Sequence, residues 1–291
     1  MANSQLPEKI YPDWSRFVAA VWTHGFSHKH MVPEFAGAHS FRAGEAMREA
    51  VTQRNNAASV RPSAFLSCAR QSFLFLQGEQ PSPMPDNIGL TFAIGHVLHE
   101  LSHAAMRSAI PEGFELLWEH KVTMPSWWPD RPDFNQGGTA DCVIHVDDET
   151  KVKYLPEDAP NSMLVDFKSM GGYTFREHGK KVFGQEPDGF GYLAQLAIYS
   201  DALGLTDGAL LAGINRDVLM SPLKPRFIGP EVLAEELQRV KDGINNALEG
   251  IDPGLEFYDR WKDNGAFYCG KGGRKGYCPF AQSCKDRPAP S

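Results

Sequence analysis

The chain has 291 residues, of which 42% are hydrophobic and 22% are charged. It is therefore long enough to bury a substantial core and has the balance of a globular protein. Its formal charge, 29 − 36 = −7, excludes a uniformly basic protein that coats nucleic acid but allows a local basic groove. No apolar run has the length of a membrane span, and the N-terminus lacks the layout of a secretion signal. We therefore expect a cytoplasmic protein without membrane contact.

The first part of the chain, residues 1–60, is predicted to be an N-terminal helical extension that carries no chemistry. Apolar residues recur at helical spacing over residues 14–26 and 41–54, which predicts two helices. Ser63 then favours a helix start as an N-cap residue, so that residues 64–76 are predicted to form a third helix.

A longer helix is predicted over residues 90–110, where Pro111 ends the periodic pattern. His96, His99 and His103 are spaced by three and four residues within it. Side chains at these spacings are neighbours on a helix surface, so all three imidazoles are predicted to lie on one face.

An acid and an amine lie two residues apart, as Asp166 and Lys168, in the apolar stretch of residues 164–169. Side chains alternate along a strand, so these two share one face of a predicted strand. Antiparallel pairing with another predicted strand, residues 137–146, would bring Asp141 close to Asp166. Such a group suits a metal ion held by the carboxylates and a water held by the ammonium. A salt-bridged pair on an ordinary amphipathic strand is the alternative.

The remaining elements are predicted from apolar periodicity and from turn residues. They are a strand over residues 115–124, a hairpin connection over 147–161, a Gly-rich mobile loop over 170–191, a helix over 192–203, a strand over 209–215, a helix over 230–248 and a Gly-rich, non-helical tail over 267–284. Gln195 and Tyr199 are four residues apart and therefore lie on one face of their helix.

The order of these motifs resembles that of the RecB-like branch of the PD-(D/E)XK nucleases, over roughly residues 61–284. That branch has a G-x-x-x-H helix, a lone acid on a strand, a D/E-x-K strand and a Q-x-x-x-Y helix. The residues that match these motifs, in chain order, are Gly95 with His99, then Asp141, then Asp166 with Lys168, and finally Gln195 with Tyr199.

The resemblance implies an α/β fold with a restriction-endonuclease-like core, a mixed central sheet flanked by helices, within a nuclease domain over residues 61–291. It implies a DNA exonuclease that uses Mg²⁺ or Mn²⁺ in recombination, repair or phage DNA processing, encoded by a bacterium or a phage. The metal ligands that it implies are His99, Asp141, Asp166 and the backbone carbonyl of Phe167. The catalytic residues that it implies are Asp141, Asp166, Lys168, Gln195 and Tyr199.

Four of the five cysteines extend the resemblance. One, Cys68, precedes the nuclease motifs, and Cys269, Cys278 and Cys284 follow them. AddB-type nuclease domains and the RecB-like nucleases of CRISPR adaptation place cysteines in this way to bind a [4Fe–4S] cluster in a cap, here residues 61–78 and 265–291. Eight residues separate Cys269 from Cys278, where the family often has two. Four thiolates suit iron–sulfur or zinc, and the resemblance favours iron–sulfur. Cys142 is predicted to be a core residue.

The expected partner is DNA, with single- or double-stranded ends. A helicase P-loop motif is absent from the sequence, so unwinding would require a partner such as a helicase, with a recombinase or an integrase as other candidate partners. The candidate DNA-binding residues are six basic side chains in two clusters: Arg176, Lys180 and Lys181, and Lys271, Arg274 and Lys275.

Two other functions fit part of the sequence. His99, Glu100 and His103 match the H-E-x-x-H pattern of zinc metalloproteases, with Glu119 as a candidate third ligand. This hypothesis leaves the aspartates, Lys168 and the cysteines unexplained. The other alternative is a nucleic-acid-binding module that keeps the fold and has lost cleavage.

Overall fold

The computed structural model describes residues 5–27, 30–52, 59–63, 66, 68–82, 88–178, 191–218, 221, 223–254 and 278–286. The helices in these ranges are α1 (Trp14–Gly25), α2 (Pro33–Thr52), α3 (Ala69–Leu76), α4 (Ile88–Ala109), α5 (Asp148–Tyr154), α6 (Gly172–His178), α7 (Tyr192–Leu203), α8 (Pro230–Leu248) and α9 (Ala281–Asp286). The strands are β1 (Phe114–Thr123), β2 (Gly137–Val146), β3 (Ser162–Met170), β4 (Ala209–Asn215) and β5 (Lys224–Ile228).

The strands form one sheet in the order β1-β2-β3-β4-β5. Strands β1, β2 and β3 pair as antiparallel neighbours, β3 and β4 pair in parallel, and β5 returns antiparallel to β4. The parallel pair requires a crossover, and α6 and α7 lie in that connection,. The prediction of an α/β protein with a mixed sheet flanked by helices is confirmed.

The sheet is buried on both faces because its central strands are apolar at nearly every position. Along β3, Leu164 belongs to one core cluster together with Val143 and residues of α7 and α8. Its neighbour Val165 points to the other face and belongs to a second cluster, with Cys142 and residues of α1 and α4. Cys142 is fully buried, as predicted.

The N-terminal helices pack on the sheet side that carries α4. Phe17 of α1 is buried and stacks on Phe114, with ring centroids 4.7 Å apart. The indole N–H of Trp22 donates to Ser102 Oγ of α4 at 3.2 Å. A Cβ added to Gly25 would lie 1.9 Å from the backbone oxygen of Ala105. Helices α1 and α4 therefore approach closely at this glycine, and the extension shares its core with the sheet.

Several elements differ from the sequence prediction. The helix predicted from Ser63 begins at Ala69 instead, with Cys68 as its N-cap residue. The segment predicted as a hairpin connection contains α5, because Asp147 caps it by accepting a hydrogen bond from the Thr150 amide,. The predicted mobile loop begins with α6, and the tail predicted as non-helical contains α9. Strand β5 was missed, since its basic residues and proline hide the alternation of an edge strand,.

Candidate active site

The site lies where β2 and β3 diverge. Their pairing runs from His145 opposite Ser162 to Cys142 opposite Val165, which places Asp141 next to Asp166 in the register. Here the ladder ends, and the Asp141 carboxylate takes the place of a backbone partner. The amide of Phe167 donates to Asp141 Oδ2 at 2.9 Å. The predicted approach of the two acidic strand positions is confirmed.

Lys168 links the two carboxylates. Its ammonium group donates to Asp166 Oδ1 at 2.8 Å and lies 4.0 Å from Asp141 Oδ2. Asp166 is buried, with 2% of its surface exposed, whereas the side chains of Asp141 and Lys168 keep 17% and 18%. The predicted D-x-K pair therefore lies on one face of β3 and opens toward solvent on the Lys168 side.

His99 approaches the same group from α4. Its Nε2 lies 3.4 Å from Asp141 Oδ1, and its ring centroid lies 4.7 Å from that of Trp118. Of the three histidines predicted to share a face, His96 is exposed and His103 is buried beyond His99. Helix α4 thus turns only His99 toward the aspartates.

Burial and opposite charges set the protonation of these groups. Burial acts on Asp141, but the Lys168 ammonium and His99 outweigh it and hold the pKa of Asp141 below its usual range. Burial raises the pKa of Asp166 to about 7, against the attraction of Lys168. Burial alone would lower the pKa of Lys168 and of His99, yet the neighbouring carboxylates raise both. The positive charge near Asp166 is therefore too small to offset the cost of burying its carboxylate as an anion.

Two buried atoms at this centre suit a cation. Asp166 Oδ2 has no hydrogen-bond partner within the described residues, and His99 Nε2 faces Asp141 Oδ1 at 3.4 Å. One imidazole and two carboxylates, from His99, Asp166 and Asp141, are a donor set suited to Mg²⁺ or Mn²⁺. An added cation would also offset the cost of burying Asp166 as an anion. The donor types of these three residues therefore suit the expected metal, whereas the two sets of described residues with ligand atoms within 4.8 Å of one another contain neither Asp141 nor Asp166.

Helix α7 carries Gln195 and Tyr199, and Tyr199 contacts β2 at Gly138 and Thr139. Both α7 side chains are nearly buried, and the Thr139 amide donates to Tyr199 Oη at 3.3 Å. A Cβ added to Gly138 would lie 2.7 Å from both Cε1 and Oη of Tyr199. The glycine is therefore what allows the phenol ring to lie across the strand.

An open cavity of about 530 Å³ adjoins this pair. Its lining includes Gln195, Tyr199 and two basic residues, Arg61 and Lys121. Lys121 Nζ donates to Thr139 Oγ1 at 3.0 Å. Cations and polar side chains at a groove beside an acidic centre suit a phosphate-bearing ligand. Sequence analysis missed Arg61 and Lys121, because a single basic residue in a loop or on an edge strand carries no signal.

The H-E-x-x-H histidines have different neighbours. His99 contacts Asp141, whereas His103 stacks on Trp118 with ring centroids 4.4 Å apart and an interplanar angle of 11°. Burial, and then the charge of neighbouring His39, lowers the pKa of His103 to about 2. In the part of the chain that the structure describes, two sets of three side chains have ligand atoms within 4.8 Å of one another. They are His39, Glu100 and His103, and His99, Glu100 and Glu119.

Glu119 has an unusual backbone. Its φ is 50°, a left-handed conformation that costs a glutamate free energy. It lies between Trp118 and His120, which pair with Cys142 and Ala140. The break in the ladder thus falls opposite Asp141, next to the candidate catalytic group, and such strain is typical of functional sites.

Three described cysteines belong to the predicted cluster, Cys68, Cys278 and Cys284. Cys68 caps α3, and the Gln71 side chain donates to Cys278 Sγ at 3.3 Å. The backbone amide of Ser82 donates to the Pro279 oxygen at 2.8 Å, so the segment before α9 is fixed against α3. Burial raises the pKa of Cys278 and of Cys284. Neither set of ligand atoms within 4.8 Å found among the described residues contains a cysteine.

Of the predicted DNA-binding residues, Arg176 is exposed on α6. Six other predicted site residues lie outside the described part of the chain: Cys269, Lys180, Lys181, Lys271, Arg274 and Lys275.

Comparisons with known proteins leave the family open. No protein-family model matches the chain, and no curated protein matches it. Among solved structures, the chain is similar to the crystal structure of SSO0001, with a TM-score of 0.45 and 13% identity over 85% of this chain and 95% of that chain. None of the helices that the structure describes combines the length and the apolar character needed to cross a membrane.

Proposed function

We propose that the protein is a metal-dependent DNA nuclease whose centre is formed by His99, Asp141, Asp166 and Lys168. The observation that carries the proposal is their convergence where β2 and β3 part. Two acids, an imidazole and an ammonium meet there, and the buried Asp166 carboxylate has an oxygen without a partner. An ordinary surface salt bridge would leave the acid exposed, whereas Asp166 is 2% exposed.

Each residue has a distinct part in the hydrolysis of a phosphodiester bond. His99, Asp141 and Asp166 would hold Mg²⁺ or Mn²⁺, which when bound polarises the phosphate and makes a water more acidic. Lys168 stays protonated and donates a hydrogen bond to the water or to a phosphate oxygen as negative charge grows there. The water oxygen bonds to phosphorus and releases a proton to solvent, one phosphorus–oxygen bond to the sugar breaks, and the leaving oxygen takes a proton from solvent.

The DNA strand would lie between this centre and α7. Gln195 and Tyr199 line the cavity that also presents Arg61 and Lys121. These side chains offer donors to a phosphate backbone, and the Tyr199 ring is held by the Thr139 amide. Arg61 and Lys121 therefore give the cavity positive charge, although the whole chain is acidic,.

The experiment is degradation of end-labelled linear DNA with Mg²⁺ and with Mn²⁺. We expect cleavage by the wild type and at least a 10²-fold lower rate for Lys168→Ala and for Asp166→Ala, as is typical when transition-state stabilisation is removed. His96→Ala, an exposed change on α4, is the matched control and should cleave normally. Wild-type activity in Asp166→Ala with its fold intact would refute the proposal. The position of the label in the products distinguishes cleavage from ends from internal cleavage.

We also propose that Cys68, Cys269, Cys278 and Cys284 bind a [4Fe–4S] cluster. The contacts between α3 and the segment around Cys278 support it, since they bring cysteines from distant parts of the chain to one side of the domain. Thiolates are the ligands of iron–sulfur clusters. Protein purified without oxygen should contain iron and acid-labile sulfide, and Cys278→Ser should lose both. If the purified protein contains zinc and no sulfide, the cysteines bind zinc instead of an iron–sulfur cluster.

A further inference from the structure

A second group of ionisable side chains lies beside the candidate active site. His39 of α2 meets Glu100 and His103 of α4, and one ligand atom from each lies within 4.8 Å of the others. His39 is 0% exposed, and Glu100 and His103 are each 6% exposed. Such side chains are rarely buried together in a core unless each finds a partner.

The partners within the group are incomplete. His39 Nδ1 lies 2.6 Å from Glu100 Oε2, a hydrogen bond that accounts for one nitrogen of this ring. His39 Nε2 and His103 Nδ1 are both buried, and no hydrogen-bond partner for either is found among the described residues. Buried polar atoms are normally satisfied, so these two imidazole nitrogens are expected to bind a ligand from outside the protein.

We propose that His39, Glu100 and His103 bind a zinc-class divalent ion. Two imidazoles and one carboxylate are a recurrent three-ligand set for Zn²⁺, whereas Mg²⁺ prefers oxygen ligands. Zinc binds imidazole in its neutral form. The site shares no ligand with the proposed nuclease metal: Glu100 is paired with His39 and His99 with Asp141, and a ligand atom of Glu100 also lies within 4.8 Å of one of His99.

The ion would join the N-terminal extension to the helix of the active site. His39 lies on α2, whereas Glu100 and His103 lie on α4, one and four residues after His99. Trp118 contacts both His103 and His99, with ring centroids 4.4 Å and 4.7 Å apart. A metal at His103 would therefore also fix the indole against which His99 packs, and it would give residues 33–52 a structural role.

The test is the zinc content of the full chain after dialysis against a weak chelator, with folding followed by circular dichroism. We expect His39→Asn and His103→Asn to hold one zinc ion per chain fewer than the wild type. The Asn at position 39 can still donate to Glu100, so that packing is disturbed little. His96→Asn, on the exposed side of α4, and Cys278→Ser should keep this ion. Equal zinc content in the wild type and in both histidine variants would overturn the proposal.

A second measurement does not depend on the variants. Wild-type protein loaded with Co²⁺ should show the visible bands of a cobalt ion bound by nitrogen and oxygen, and these should persist in Cys278→Ser. Zinc added to metal-free protein should raise the melting temperature of the wild type and leave that of His39→Asn unchanged. Wild-type protein that binds Co²⁺ only through thiolates, or that zinc does not stabilise, would contradict the site whether or not the protein cleaves DNA.

Discussion

The substitution Gly138→Ala tests whether Tyr199 must lie where the structure places it. The new Cβ would stand 2.7 Å from Cε1 and Oη of Tyr199, whereas ordinary contact begins at 3.4 Å, so the ring tip must move by about 0.7 Å. A shift of this size also breaks the hydrogen bond from the Thr139 amide. We expect unfolding to become easier by about 1–3 kcal/mol, as for other overpacked sites. DNA cleavage should fall by up to about 10²-fold, because a positioning group has been displaced.

The neighbouring residue provides a matched control for this prediction. A Cβ at Gly137 would meet its nearest atom, the Val122 backbone oxygen, at 3.8 Å. Gly137→Ala should therefore keep both the stability and the cleavage rate of the wild type. The assay pairs urea denaturation with the rate of release of end label in Mn²⁺. A fully active Gly138→Ala, or equal losses in both variants, would show that Tyr199 does not position the substrate.

Three further predictions concern the scaffold around the site. Gly25→Ala should lower the free energy of unfolding by about 3 kcal/mol or more, because its Cβ would lie 1.9 Å from the Ala105 oxygen,. Gly44→Ala on α2 is the control: its Cβ would meet nothing within 4 Å, so urea denaturation should show no loss of stability,. Burial lowers the pKa of His178 to about 4 in the folded state, so its own contribution to the free energy of unfolding should be constant above pH 6.5 and fall by about 3 kcal/mol as the pH drops from 6.5 to 4; the difference in stability between the wild type and His178→Gln should show this pH dependence. Glu119→Gly should raise the free energy of unfolding by about 1 kcal/mol, since glycine accepts a φ of 50° without strain,, and a lower value would show that the Glu119 side chain makes stabilising contacts.

Much of the site is predictable because its signals are local. The alternation in β3 predicts that Asp166 and Lys168 share a face, and the two antiparallel strands then bring Asp141 to them. His99 follows from helical spacing and motif order. The strand that most clearly escaped sequence analysis, β5, has basic residues and a proline in place of an apolar alternation.

Other parts of the site depend on tertiary packing that leaves no local trace. His39 is one polar residue on a helix with small and polar neighbours, and its contact with Glu100 spans 61 positions of sequence. The left-handed backbone of Glu119 could not be predicted from the sequence either, because glutamate rarely adopts this conformation and the position is not a glycine or an asparagine,. Only the packing of α2 and β1 against α4 brings these residues to His99.

The parallel pairing of β3 with β4 also determines when the protein can fold. Strand β3 ends at Met170 and β4 begins at Ala209, so the strand that carries Asp166 keeps one open, apolar edge until the crossover has been synthesised. Such an edge is prone to pair with other chains. A recombinant fragment that stops at Tyr199, the last of the predicted catalytic residues, should therefore aggregate, and useful fragment boundaries should lie beyond α8.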